Sequence, residues 1–290
     1  MSIENIKKLR EMTGAGMMDV KKALDASNND IDAAIQWLRE NGVAKAAKKA
    51  DRIAAEGVVL AASNDSRAVI IEVNSETDFV SKNETFVTKT EAAINAILNS
   101  TATTLEEALN VEVEGETVEQ VMVTLTATIG EKITLRRVAA FNLEGKNAGT
   151  YKHSNSRIAS LVIGEGMDSE ILRDIAMHAT AMAPQYLTQD DIDADIVAKE
   201  TEMAMKELAD TLEGKPEEIK ANIVKGKVNK TLNESVLTEQ TFVKDQSKKV
   251  KDLQGSGKLV TFVRYEVGEG IEKREENFAD EVAAQMAAAK

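Results

Sequence analysis

The hydrophobic period of this chain changes at Gly57, and that change limits the fold more than any other feature. Upstream, Ile3, Ile6 and Leu9, then Met18 and Leu24, then Ile31, Ile35 and Leu38 recur at the three-to-four-residue spacing of helix faces. Downstream, Val58-Val59-Leu60 and Val69-Ile70-Ile71-Glu72-Val73 are short apolar runs separated by the turn-rich Ser63-Asn64-Asp65-Ser66, the pattern of a strand hairpin. The chain therefore reads as α+β. Its head is a module of three short helices, with Gly14-Ala15-Gly16 breaking the first from the second. Asp30 is placed to cap the third helix and Gly42 to end it. From Ala44 to Gly57 an Ala-rich helical connection carries Lys45, Lys48, Lys49 and Arg52 at helical spacing. That face is either solvated or a basic contact surface.

A helix follows the hairpin, with Phe86, Ala93, Ile94, Ile97 and Leu98 as its apolar positions. The order then recurs: a strand from Ile133 to Phe141, a turn around Gly145, strands at Thr150–His153 and Arg157–Ile163, and a helix from Ile171 to Ala183. One hairpin-then-helix unit used twice is the simplest reading. Between Gln189 and Asn233 the chain is charged and helical. Leu208 and Leu212 precede Gly214-Lys215-Pro216, and Ile219, Ile223 and Val224 follow it, so a helical hairpin should project as an arm. A last strand, Leu259 to Val267, is apolar on both faces and is expected inside a sheet. An amphipathic helix over Asn277–Ala289 closes the chain.

Several chemistries lack their residues. There is no cysteine among the 290 residues, so disulfides, thiolate metal sites and cysteine nucleophiles are absent. Only His153 and His178 could serve a triad or a metal, and they lie on different elements without carboxylates at ligand spacing. His178, with Ile175, Ala179 and Met182 around it, reads as a packed residue. Gly255-Ser256-Gly257-Lys258 resembles a phosphate loop but has Asp252 where the first glycine belongs and Leu259 where a magnesium-binding hydroxyl belongs. With 36 Lys plus Arg against 49 Asp plus Glu the net charge is -13, which repels phosphate backbones and anionic lipid. No stretch reaches the ~18 apolar residues of a membrane span, and the N-terminus has no signal core. The expectation is a cytoplasmic, non-catalytic protein with no cofactor, no metal, no nucleic acid and no membrane partner.

Two segments are odd for a plain core. Met17 and Met18 are adjacent on a helix and point about 100° apart. Burying both in one tiny core is difficult, which frees one for a partner; read alone, core packing and a contact role stay equally open. Ser75-Glu76-Thr77-Asp78-Phe79-Val80 puts an aromatic behind a carboxylate at a strand-to-helix turn. Read alone, Phe79 fits the cap of the core beneath it better than outward display.

Together these segments match a known family. The chain resembles bacterial elongation factor Ts in Thr13-Gly14-Ala15-Gly16-Met17-Met18-Asp19, in Thr77-Asp78-Phe79-Val80, in Ile129-Gly130-Glu131-Lys132-Ile133 with Arg136-Arg137, in Tyr151-Lys152-His153, and in Arg264-Tyr265-Glu266-Val267-Gly268-Glu269-Gly270. Ser75 stands where relatives often have Cys and Thr241 where they often have Pro, both away from the key segment. The resemblance implies a guanine nucleotide exchange factor for the GTPase elongation factor Tu, acting in translation elongation. It implies a ubiquitin-associated-like module and linker at 1–54, core subdomains at 55–144 and at 145–187 with 237–271, a helical arm at 188–236 and a C-terminal helical module at 272–290. Thr77, Asp78, Phe79 and Val80 would then dislocate the partner's magnesium, and Arg10, Met17, Met18, Lys21, Ile129, Gly130 and His153 would dock. Homodimerisation through the arm stays open, as does an adaptor role in which the arm does the main work.

Overall fold

The computed structural model describes residues 3–272. The helix expected over Asn277–Ala289, and all but the first residue of the 272–290 module, lie outside the described residues.

The head is three helices: α1 (Ile3–Thr13), α2 (Met17–Ala26) and α3 (Ile31–Ala47). Leu9, Val20, Ala23, Leu24 and Ala34 form its small core, with Trp37 and Leu38 packed alongside. Asp30 caps α3 as expected, its Oδ1 accepting from the Ala33 amide at 2.8 Å. Gly42 does not end α3. The helix runs on to Ala47 because Val43 to Ala47 are adequate helix formers, and a single interior glycine costs only about 1 kcal/mol. Gly42 is buried instead, where a Cβ would stand 3.5 Å from Ala127. The Ala-rich connection also departs from expectation, since residues 48–52 form turns. Its cations are largely engaged: Lys45 pairs with Asp19 at 2.7 Å, Lys49 donates to the Gly130 carbonyl, and Arg52 meets Glu76 at 3.3 Å.

The first sheet begins with the hairpin β1 (Glu56–Ser63) and β2 (Arg67–Ser75), after which α4 (Glu84–Leu98) packs through Phe86, Ala93, Ile94, Ile97 and Leu98. Next come α5 (Leu105–Leu109), the two-residue strands β3 (Glu112–Val113) and β4 (Glu116–Thr117), and α6 (Val118–Ile129). Strand β5 (Thr134–Asn142) then returns to pair with β2, giving the antiparallel order β1-β2-β5. The strand expected to start the repeat therefore finishes the first unit.

The second sheet holds β6 (Asn147–Lys152), β7 (Ile158–Glu165) and, after α7 (Ser169–Met182) and the arm, the late strand β8 (Lys258–Glu266). The arm is α8 (Ala194–Glu207), a single turn α9 (Ala209–Leu212) and α10 (Glu217–Asn233), with Ala204 and Leu212 packed against Val224 and Val228. Gly214, at φ 71, makes the turn. Among the described residues, strand β8 is bonded to β7 alone, so there it is an edge strand and not the internal one expected. Its two apolar faces have a different cause: Leu259 and Phe262 cover the α7 side, while Val263 and Tyr265 face the first sheet.

Both sheets repeat strand, strand, helix, strand, and each has a register shift near the end of its middle strand, at Glu72/Val73 and at Ile163/Gly164. They stack face to face through Val59, Ala68 and Ile70 on one side and Ala159, Leu161 and Ile163 on the other. The outer face of the first sheet, Val69, Ile71 and Val73, is covered by α4 and α6; Val162 of the second meets Leu172, Ile175 and Ala176 of α7. Every residue of β2 is buried, as a middle strand covered on both faces requires.

The approach of α7 is close enough to need a glycine. A Cβ added to Gly149 on β6 would stand 2.1 Å from the Arg173 amide nitrogen and 2.2 Å from the Leu172 carbonyl carbon. Both are backbone and cannot swing away. Gly149→Ala is expected to force α7 outward and cost about 1–3 kcal/mol or somewhat more, read as a lower urea midpoint.

Candidate partner-binding surface

Strand β2 ends at the fully buried Ser75, and the chain then turns outward. Glu76 and Thr77 are half-buried, Asp78 is exposed, and Phe79 leaves 78% of its surface in water before Val80 drops back to 5%. The helical turn Val80–Lys82 follows, and Asn83 caps α4 by accepting from the Phe86 amide at 3.1 Å. Phe79 therefore projects between two buried anchors, at φ -62 and ψ -38, a conformation without backbone strain. The core-cap reading of Phe79 is overturned: Val80 and Phe86 fill the core beneath. Asp78 lies 3.6 Å from Lys82, an exposed pair that holds the carboxylate only weakly.

The segment is fastened from below. The Ser75 hydroxyl donates to the Thr77 carbonyl at 2.9 Å, so Ser75 does contact the key segment, contrary to expectation. Glu131 accepts from the Thr77 amide at 2.9 Å and from its hydroxyl at 2.6 Å. Ile129 is half-buried against the core and Gly130 is exposed, ending α6 in the left-handed region at φ 91.

At the head, Arg10 is exposed and Lys21 half-buried. Met17 and Met18 are 50% and 65% exposed, so both are outward, not one. The face of α2 turned inward is filled by Val20, Ala23 and Leu24 and has no room for either thioether. Met12, 55% exposed on α1, joins them and was not foreseen. His153 is exposed on the β6–β7 turn of the second sheet, next to Lys152, whose Nζ lies 3.9 Å from Glu91 of α4. Among the described residues no helix is long and apolar enough to cross a membrane, and no group of three metal-ligating side chains converges.

His178 is packed, as the sequence suggests. Its Nδ1 accepts from the Val243 amide at 3.3 Å and its Nε2 faces Gln240 Oε1 at 2.9 Å. The Gln240 amide nitrogen donates to the Glu234 carbonyl at 2.7 Å, which leaves Oε1 as the acceptor and the imidazole neutral with its proton on Nε2. Burial pushes the His178 pKa below its ordinary value, against a smaller opposing contribution from Gln240. The unfolded chain then takes up a proton near pH 6.5 while the folded chain resists. Stability should be level above about pH 6.5 and fall below it, with a shallower fall in His178→Gln; urea midpoints at about pH 7.5 and 5.5 measure this.

One constellation escaped the sequence. Glu72 on β2 is fully buried and its carboxylate accepts from Arg136 at 3.1 Å, from Arg137 Nε at 2.5 Å, from Asn74 at 2.9 Å and from the Gly268 amide at 2.8 Å. Arg137 also lies 3.9 Å over the Tyr265 ring and bonds the Glu266 carbonyl. Burial pushes the Glu72 pKa up, but the Gly268 amide, Asn74 and the two guanidinium groups outweigh it and hold the carboxyl below its ordinary value. The Arg136-Arg137 and Tyr265–Gly270 motifs thus meet here, tying the two sheets together. A lone Glu in the apolar run Val69–Val73 was the available signal.

What these residues offer is contact, and comparison with known proteins places the chain among the translation elongation factors. A family model described as Elongation factor TS matches residues 76–269. The chain is 46% identical over 287 residues to Elongation factor Ts of Acholeplasma laidlawii, with 97% of each chain covered. It is 46% identical over 288 residues to Elongation factor Ts of Mycoplasmoides gallisepticum, with 98% of each covered. The chain belongs to the elongation factor Ts family.

Proposed function

We propose that this protein is the guanine nucleotide exchange factor of elongation factor Tu, and that Phe79 and Asp78 form the instrument of exchange. Carrying the reading is one observation: a phenylalanine 78% exposed between two buried anchors. A diphosphate in a phosphate loop relies on magnesium to offset its charge. Phe79 entering between the helices that support the ion, with Asp78 near its hydration shell, exposes phosphate repulsion and speeds GDP departure. The head at 1–54 docks through Arg10, Met17, Met18 and Lys21, with Ile129 and Gly130 flanking the wedge. The second unit, 145–187 with 237–271, reaches a distal part of the partner through His153. The arm, 188–236, stands outside this action.

Coupling is reciprocal, so a factor that loosens nucleotide is itself loosened by nucleotide. Incoming GTP displaces it and the cycle runs without an enzymatic step, cofactor or metal in the factor, in the cytoplasm where translation proceeds. The experiment is release of fluorescent GDP from elongation factor Tu under excess unlabelled nucleotide, with the parent chain, Phe79→Ala and Asp78→Ala. Parent-like rates in both folded variants would sink the reading.

A further inference from the structure

The segment that presents Phe79 and the turn that follows α6 exchange carboxylates. Glu76, on the first, accepts from the Lys132 amide at 2.6 Å; Glu131, on the second, accepts from the Thr77 amide at 2.9 Å and the Thr77 hydroxyl at 2.6 Å. Each strip of backbone thus holds the other through a charged acceptor, and such bonds are roughly twice as strong as neutral ones. The arrangement fixes both residues that precede Asp78, while Val80 fixes the one after Phe79. The same turn is held on its far side by the stretch after α3. Lys132 Nζ donates to the Ala50 carbonyl at 2.6 Å and the Arg52 carbonyl at 3.0 Å, and Lys49 donates to the Gly130 carbonyl.

We propose that Glu131 is a positioning residue for Phe79: through its clasp with Thr77, reciprocated by Glu76 and Lys132, it holds the exposed ring at a set place and angle relative to the head. The inference rests on the wedge reading above. Unfastened, the segment keeps Phe79 but presents it in many orientations, so the partner must select one of them. The entropy of that selection is lost from the limiting rate of exchange. Docking through Arg10, Met17, Met18 and Lys21, none of which bonds Thr77 or Glu131, is unaffected.

The test is fluorescent GDP release from elongation factor Tu across a range of factor concentrations, separating limiting rate from half-saturating concentration. Glu131→Ala is expected to lower the limiting rate roughly tenfold, the equivalent of about one charge-assisted bond, at a half-saturating concentration within about twofold of the parent. Glu131→Gln should recover most of it, because the Thr77 hydroxyl can reverse and accept from the new amide while its backbone N–H still donates. In the Phe79→Ala background Glu131→Ala should add nothing, since there is no ring left to position. A parent-like limiting rate in folded Glu131→Ala overturns the proposal, as does a loss that appears in half-saturation or multiplies in full with Phe79→Ala. Failure of the wedge reading shows separately, as a parent-like rate in Phe79→Ala alone.

Discussion

Replacing Glu72 by alanine is expected to lower the free energy of unfolding by about 3 kcal/mol, within the range for breaking a buried ion pair from one side. The figure is set by what remains. Glu72 has no exposed surface, and without it the Gly268 amide and the Asn74 side chain lose a buried acceptor. Arg136 and Arg137 keep other partners and are 28% and 27% exposed, so water reaches them and holds the loss to the lower end. Glu72→Gln preserves volume and can still accept from Gly268 but removes the charge from two guanidinium groups, so it should fall between. Glu269, the half-exposed second partner of Arg137, provides the control: Glu269→Gln should cost under about 1 kcal/mol. Chemical denaturation at neutral pH measures all three. Similar losses for Glu72→Gln and Glu269→Gln would show that the two carboxylates matter alike.

Phe79→Ala should have the opposite profile, leaving stability within about 0.5 kcal/mol of the parent because the ring packs on little of its own chain. If Phe79 is the wedge, its effect should fall on the partner. Burying one phenylalanine is worth about 2–3 kcal/mol, and each 1.4 kcal/mol is a factor of ten, so stimulated GDP release should slow roughly a hundredfold. Phe79→Leu keeps part of the apolar area and should lose less. An unchanged urea midpoint beside a hundredfold slower release is the pattern that separates a contact residue from a core one.

Much of the fold could be read from local pattern. The positions foreseen on α4 are buried, and Asp30 caps α3, because both follow from spacing within one element. Misreadings arose where the determinant lay in another element. Gly42 was expected to stop a helix, but what decides is the run of helix formers after it and α6 alongside. The two apolar faces of β8 suggested an internal strand, yet a second sheet and α7 cover an edge strand equally well. The display of Phe79 was not legible from its own neighbours and rested on the family resemblance. Glu131 and Thr77 lie far apart in sequence, and no local pattern pairs them.

The buried carboxylate at the seam between the sheets bears on more than stability. When two bodies press on one another, the softer gives way. A molecule whose halves are pinned through a buried carboxylate held by two arginines, and whose central strand is sealed on both sides, has little compliance to offer. Pressed against a partner, such a molecule keeps its own shape, and the distortion of a complex falls on the softer body.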